Sequence, residues 1–241
     1  MKRIVENQIM PVVAALLVAV PPALTQSRDS VSSAADIVAR MAERDAERHA
    51  SFSGYTASRR YEVVNKDRHA EMLVRVACTA DGGKQFYILR EAGSGAIRNH
   101  VLRKMLEEET NASHRDTRQS ARIGPENYSF EMVGNDVVDG RLAYVLQIHP
   151  KIKSKYLIRG RIWVDATDYA IARIEGSPLQ NPSFWTKSIH FVHTYRKVGD
   201  LWLPASTRSV TDVRIFGTAE LSISDFDYSP ADPQCEARLG P

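Results

Sequence analysis

The sequence contains none of the local motifs that mark common enzyme classes. We find no GxSxG nucleophile elbow, no HExxH metal site, no phosphate-binding P-loop and no dinucleotide-binding fingerprint. No nucleophile is paired recognisably with a general base either. Because many active sites have no local motif, this absence weakens an enzymatic interpretation without excluding it.

Cysteine and net charge are both low. The two cysteines, Cys78 and Cys235, form neither a CxxC pair nor a metal-ligand spacing, so we predict no metal site and no cofactor. In an oxidising compartment the same pair could form a disulfide that ties the irregular tail to the rest of the fold. The formal net charge is +3, which is too small to predict nucleic-acid binding on electrostatic grounds.

The N-terminal apolar run is too short for a comfortable membrane span. A basic start precedes the largely apolar Ile9–Val20, and "PPALTQS" follows, which is typical of a secretory signal peptide. We therefore predict a signal peptide over residues 1–25, cleaved near Thr25 or Ser27, and one exported domain over residues 26–241. Export places this domain outside the cytoplasm, free or peripheral to a membrane, and the alternative is an uncleaved anchor.

Two stretches carry apolar residues at helical spacing. "SAAD" at Ser33–Asp36 resembles a capping box with Asp in place of Glu, and the periodicity after it predicts a helix over Ala34–Ala50. A second apolar stripe predicts a helix over Ile97–Asn111, whose other residues are largely charged.

Most of the remaining chain alternates between apolar and polar residues, which is the pattern of half-buried strands. We count about ten strands, and their short connections require antiparallel pairing. Such a sheet has to curl, close or be covered to hide its apolar face and its edges. We therefore predict a mainly β (α+β) domain, with a large, antiparallel, strongly curved sheet or incomplete β-barrel covered by about two α-helices.

Histidine and aspartate pairs offer little evidence of a site. His190 and His193 are three residues apart on a strand, hence on opposite faces, and cannot bind one metal ion together. We expect His193 to be packed or hydrogen-bonded. Asp225 and Asp227 would share one strand face, where they either do acid–base chemistry together or lie at an exposed strand end.

One arginine interrupts an apolar strand face. In "YTASRRYEV", Arg59 alternates in phase with Tyr55, Ala57 and Tyr61. A buried arginine is costly unless it is paired with a carboxylate. Arg59 is therefore expected at a rim, in a salt bridge, or inside a cavity that needs a cation.

Basic residues alternate along "KIKSKYLIRGRIW". On a continuous strand, one face would hold Lys151, Lys153, Lys155, Arg159 and Arg161. This face is either solvated or a docking stripe for anionic head groups or an acidic partner. No aromatic residues interleave with these charges as they do in single-strand nucleic-acid grooves, so we predict no nucleic-acid partner.

The stretch "RGRIWVDATDYAIARIEG" reads as two strands joined by a turn that Asp165 and Asp168 shape. With the N-terminal amphipathic helix, "YTASRRYEV" and "WLPASTRSVTDVRIFG", it resembles the bacterial outer-membrane lipoprotein-sorting family, the Lol-type carriers and their relatives. The resemblance implies an incomplete antiparallel barrel, closed by helices around an apolar cavity that holds acyl chains.

We therefore predict a non-enzymatic periplasmic carrier of lipid or of lipoprotein acyl chains, linked to lipoprotein sorting or envelope maintenance. The alternatives are a sensing module with a filled interior that recognises an envelope protein, and an enzyme with an acidic pocket. Strand alternation gives candidate cavity-lining residues, although it does not decide which face of each strand is inward. They are Arg59, Tyr61, Met72, Val74, Phe130, Met132, Leu146, Trp163 and Phe191.

Overall fold

The computed structural model describes residues 33–66, 68–113, 115–180, 186–213 and 217–231. The expected signal peptide over residues 1–25 lies outside these residues, so export and cleavage stay predictions. Within the described part of the chain, no helix is long and apolar enough to cross a membrane.

Ten strands of the described residues form a single antiparallel sheet, as alternation and the short connections predicted. They are β1 (Tyr55–Asn65), β2 (Arg68–Cys78), β3 (Lys84–Gly93), β4 (Tyr128–Val138), β5 (Arg141–Pro150), β6 (Ile158–Asp165), β7 (Ile171–Pro178), β8 (Thr186–Val198), β9 (Leu201–Val213) and β10 (Gly217–Pro230). Their order across the sheet is β3-β2-β1-β10-β9-β8-β7-β6-β5-β4. The first and last strands are therefore neighbours. Within the described residues the edge strands β3 and β4 do not pair, so the curved sheet is not closed.

In the part of the chain that the structure describes, three helical segments accompany the sheet. They are α1 (Ala34–Ala50), a segment in which α2 (Gly95–Ile97) continues through a π-helical turn (Arg98–Leu102) into α3 (Arg103–Ala112), and α4 (Arg115–Ala121). The first two confirm the helices predicted from periodicity. The expectation of about two helices missed α4, because its sequence, "RDTRQSA", has no apolar stripe that would reveal a helix.

Helix α1 begins at the expected capping box and covers one half of the sheet. The Asp36 N–H donates to Ser33 Oγ at 3.1 Å, and the Ser33 N–H donates to the Asp36 carboxylate at 3.2 Å. These bonds satisfy donors that the first helical turn leaves free. The buried face of α1 joins a core of β4 to β7 that includes Ile37, Val38, Met41, Leu146, Ile148, Ile162, Val164 and Ile174.

The α2–α3 segment covers the other half of the sheet. Its Ile97, Leu102 and Leu106 pack with side chains of β1, β2 and β10 in a second buried cluster. The two helical parts thus bury the apolar face of the sheet at its two ends. Side chains of both helical parts border cavities that share Tyr195 of β8 and Trp202 of β9, near the middle of the sheet.

Candidate functional site

Three adjoining cavities lie between the helical segments and the covered face of the sheet. Cavity 1 has a volume of about 460 Å³, cavity 2 about 330 Å³ and cavity 3 about 450 Å³. Each pair of these cavities shares wall residues. The shared residues are Ala121, Ile123 and Ile174 for cavities 1 and 2, His193 and Thr207 for cavities 2 and 3, and Tyr195 and Trp202 for cavities 1 and 3.

Cavity 2 is the most apolar of the three. Its walls include Tyr128, Ile158 and Phe191, the last of which the sequence predicted as cavity lining. The Tyr128 hydroxyl accepts a hydrogen bond from the Ile158 N–H at 3.0 Å, so this ring is held in place by the neighbouring strand. Each cavity falls within the range of roughly 300–1,000 Å³ that is usual for small-molecule sites.

Cavity 3 contains a buried polar cluster around Arg59. Arg59 on β1 lies directly opposite Asp225 on β10, and its side chain is 4% exposed. Its Nε donates to Asp225 Oδ1 at 2.6 Å, and its Nη1 donates to both carboxylate oxygens of Glu109, on α3, at 2.7 and 2.8 Å. Of the three situations expected for Arg59, the structure combines two, since the side chain is salt-bridged and also borders a cavity.

Lys84 and Tyr61 complete this polar cluster. Lys84 Nζ contacts Glu109 Oε1 at 2.9 Å, and the Tyr61 hydroxyl donates to Glu109 Oε2 at 3.4 Å. Two cations therefore face two carboxylates. Burial by itself would raise the pKa of Glu109, but the positive charges of Lys84 and Arg59 outweigh it and lower that pKa to about 2.

His193 on β8 stands between cavities 2 and 3. Its Nδ1 is hydrogen-bonded to Thr207 Oγ1, and its ring packs edge-on against Tyr195 with a centroid distance of 4.5 Å. Burial, together with the charges of Arg59 and Lys84, lowers the pKa of His193 to about 4. His193 is therefore a neutral, packed and hydrogen-bonded side chain at pH 7, which confirms the expectation for it.

We expect the buried His193 to make folding pH-dependent. Below its ordinary pKa of 6.5 the unfolded imidazole takes up a proton, whereas the folded one does so only near pH 4. The free energy of unfolding should therefore fall as the pH drops through this window, by about 1–2 kcal/mol between about pH 7 and pH 5. Urea denaturation at both pH values should show this loss in the wild type and much less of it in His193→Gln.

The matched control is His190→Gln on the same strand. His190 is exposed. Its one ion-pair contact among the described residues is with Glu175, at 3.6 Å. This variant should keep the wild-type dependence on pH. An equal loss of pH dependence in both variants would contradict the assignment to His193.

The predicted aspartate pair on β10 is wrong. Asp227 has a positive φ of 53°, and the pairing of β10 with β1 shifts register between Thr56 and Ser58. This β-bulge breaks the alternation that would have put Asp225 and Asp227 on one face. Asp225 is buried against Arg59, whereas Asp227 is exposed.

Most of the other predicted lining residues belong to the packed core. Tyr61, Met72 and Val74 are buried beneath the α2–α3 segment. Leu146 is buried beneath α1, and Phe130 and Met132 are half-buried side chains packed against the same core. These residues support the covered face of the sheet, and a lining role for them stays a prediction.

Trp163 lies on the opposite face from the cavities. It packs with Ala143 and Val145, its Nε1 donates to Asp136 at 2.8 Å, and its ring is stacked by Arg173. Its strand neighbours Ile162 and Val164 supply the core beneath α1 instead. Because β6 is apolar on both faces, alternation alone did not decide which side was inward.

The predicted basic strand face is not continuous. The segment between β5 and β6 is a loop that holds the exposed Lys151, Lys153 and Lys155, and only Arg159 and Arg161 follow on β6. The alternation of basic residues that predicted one continuous strand therefore lies partly in a loop. A role for these five exposed side chains in binding head groups or a partner stays a prediction.

Asp165 shapes the β6–β7 turn as expected, whereas the Asp168 carboxylate accepts hydrogen bonds from side chains of β5, β8 and β9. Asp165 Oδ1 accepts the N–H groups of Thr167 and Asp168 at 3.0 and 2.7 Å, and its carboxylate is held by Arg141. Arg48 of α1 donates to the Asp168 carbonyl oxygen at 2.9 Å. This turn thus anchors α1 over the sheet.

Cys78 is buried at the end of β2, and Cys235 lies outside the described residues. Tyr55 pairs with Cys78 on one side and with Pro230 on the other. Pro230, which comes shortly before Cys235 in the sequence, therefore lies two strands away from Cys78. The disulfide stays a prediction.

The sequence interpretation missed two residues of the polar cluster, Lys84 and Glu109, and only Glu109 carries a local signal. It follows Met105 and Leu106 of the apolar helical stripe by four and three residues, so it continues that stripe as a charge. A charge on an apolar helix face is the same kind of signal as Arg59 on an apolar strand face. Together the two anomalies would have indicated a buried ion pair.

Three solved structures illustrate what this chain resembles. A LolA superfamily protein from Nitrosomonas europaea has 11% identity, a TM-score of 0.37, and covers 83% of this chain and 94% of its own. A protein domain from Vibrio parahaemolyticus, described as outer membrane lipoprotein-sorting, has 12% identity, a TM-score of 0.42, and coverages of 84% and 97%. A DUF1329 family protein from Desulfovibrio piger has 11% identity, a TM-score of 0.42, and coverages of 85% and 95%.

No protein-family model matches the chain, and no curated protein is significantly similar to it.

Proposed function

We propose that this protein is a non-enzymatic periplasmic carrier that holds a lipid, or the acyl chains of a lipoprotein, between its helices and its sheet. The observation that carries the proposal is the set of three adjoining cavities over the middle of the sheet. Cavity 2 offers an apolar wall to a hydrocarbon chain, and cavities 1 and 3 extend the space on either side. Apolar surface of a chain placed there is removed from water, which supplies the binding free energy.

Exposed polar contacts border cavity 1 at the edge of α1, beside the buried apolar face of this helix. Arg122 and Asp45 form an exposed ion pair at 2.8 Å, and Arg40 donates to the Tyr169 hydroxyl at 3.2 Å. Exposed pairs of this kind contribute little to stability, typically 0–1 kcal/mol. Opening these edge contacts would widen cavity 1 at little cost, while the buried face of α1 keeps the helix on the sheet.

Two observations favour a carrier over the alternatives. A protein-recognition module of this fold would have a filled interior, whereas the cavities here are each large enough for a small-molecule ligand. An enzyme with an acidic pocket would need a carboxylate available for proton transfer, whereas Asp225 and Glu109 are both paired with Arg59 and Asp227 is exposed at a bulge.

The first test is an organic-solvent extract of the mature protein purified from a bacterial periplasm, followed by mass spectrometry. We expect phospholipid or other acyl species in stoichiometric amounts. The delipidated protein should then take up a fluorescent fatty acid. A clean extract together with no uptake would overturn the carrier proposal and favour protein recognition.

A bulky substitution in the shared wall should block uptake. Ala121, at the end of α4, borders both cavity 1 and cavity 2, so the indole of Ala121→Trp would fill space that the chain needs. We expect affinity for the fluorescent fatty acid to fall at least about tenfold, the equivalent of about 1.4 kcal/mol. Fluorescence titration of the delipidated protein measures this change.

The matched control is Gln119→Trp, on the same helix at an exposed position. It adds the same ring and should leave the affinity within about twofold of the wild type, since surface changes are usually worth less than ~0.5 kcal/mol. Equal affinities of the two variants would place the ligand away from this wall.

A further inference from the structure

Arg59 and Lys84 converge on the Glu109 carboxylate at the sheet side of cavity 3. They approach the Glu109 carboxylate from β1 and β3, with nitrogen–oxygen distances of 2.7 and 2.9 Å. The Tyr61 hydroxyl adds a third donor at 3.4 Å. Arg59 is fixed in this position by the 2.6 Å bond between its Nε and Asp225.

Glu109 is the exchangeable member of this group. The Arg59 and Asp225 side chains are only 4% and 3% exposed and lie on paired strands, whereas Glu109 is 28% exposed and comes from a helix. Rotation of the Glu109 side chain toward solvent would leave two cations facing one carboxylate. The site would then carry one net positive charge, which a single anionic group neutralises.

The anion site is next to the apolar cavity. Cavity 3 meets cavity 2 at His193 and Thr207, which are a neutral ring and a hydroxyl. A chain that lies in cavity 2 can therefore present its end to Arg59 and Lys84 without burying an unpaired charge. An uncharged chain end would gain nothing there from the two cations.

We propose that the Glu109 carboxylate occupies a site that receives, in the ligand-bound protein, the anionic head group of an amphiphile. This inference rests on the proposed carrier function and specifies its ligand class as a hydrocarbon chain that ends in a carboxylate or a phosphate. Glu109 competes with the ligand for Arg59 and Lys84, so it weakens binding of acidic ligands and does not affect uncharged ones.

The test compares three competitors that displace a fluorescent fatty acid: hexadecanoic acid, hexadecyl phosphate and hexadecanol. In Glu109→Gln the competing charge is gone, so we expect the acid or the phosphate to bind about tenfold tighter than to the wild type, with little change for the alcohol. Lys84→Met should reduce the preference for charged head groups over the alcohol. The controls are Glu108→Gln and Lys104→Met, both at exposed positions of α3.

Whichever of the acid and the phosphate gains more affinity in Glu109→Gln identifies the head group. A gain for either one supports the inference. Circular dichroism verifies the fold of each variant. If Glu109→Gln does not fold, Lys84→Met decides alone, because it leaves Arg59 paired with both carboxylates. An unchanged ratio of acid to alcohol affinity, with binding retained, would overturn the head-group site only. No binding of any competitor would overturn the carrier function together with it.

Discussion

Replacement of Arg59 by methionine is expected to lower the free energy of unfolding by about 3–5 kcal/mol. The guanidinium is the only described partner within salt-bridge distance of Asp225, and it shares Glu109 with Lys84. Without Arg59, Asp225 would remain buried as an uncompensated carboxylate between two paired strands. Urea denaturation of the purified domain measures the loss.

The neighbouring arginine provides the matched control. Arg60 is 46% exposed and its contact with Glu71 is 4.0 Å long, so Arg60→Met should cost no more than about 1 kcal/mol. In the Arg59→Met background, Asp225→Asn should restore part of the lost stability, because it removes the stranded charge. Equal losses for Arg59→Met and Arg60→Met would mean that the buried polar cluster contributes no more to the free energy of unfolding than an exposed ion pair does.

Substitution of Gly54 by alanine is the second change with a large expected effect. Gly54 joins α1 to β1 with a φ of +92°, a conformation that costs other L-residues about 1–2 kcal/mol. An added Cβ would also lie 2.4 Å from the carbonyl oxygen of Cys78, which belongs to the backbone of the paired strand β2. Both costs act together, so we expect a loss on the order of 3 kcal/mol.

Gly140→Ala separates the two contributions. Gly140 also has a positive φ, +77°, but an added Cβ there meets nothing within 4 Å. Its loss should be limited to the backbone strain, about 1–2 kcal/mol. Thermal and urea unfolding of both variants make the comparison. If Gly140→Ala proved as destabilising as Gly54→Ala, the close approach to Cys78 would have no energetic weight.

Local errors in the sequence interpretation share a cause. Alternation was extended through a loop at Lys151–Lys155 and through a bulge at Asp227, where the backbone is not a regular strand. Alternation also did not decide on which face of the sheet Trp163 lies, because β6 packs apolar side chains on both faces. A period of two indicates a strand, but it does not say where the strand ends or which side is covered.

The sequence by itself determined the elements whose signals are local. The capping box and the apolar stripe after Ser33 predicted the bounds of α1, alternation predicted about ten strands, and their short connections predicted antiparallel pairing. The turn at Asp165 was likewise decided within a few residues, by a side chain bonded to the backbone beside it. Such interactions depend only on neighbours along the chain.

Only the tertiary structure decided the site. Arg59 and Asp225 are 166 residues apart, and they meet because the first strand of the sheet pairs with the last in one particular register. Glu109 joins them because α3 packs its apolar stripe over β1 and β2. The cavities likewise exist only where two helical parts cover the ends of one curved sheet and leave space over its middle. These contacts are set by long-range packing, which no short stretch of sequence contains.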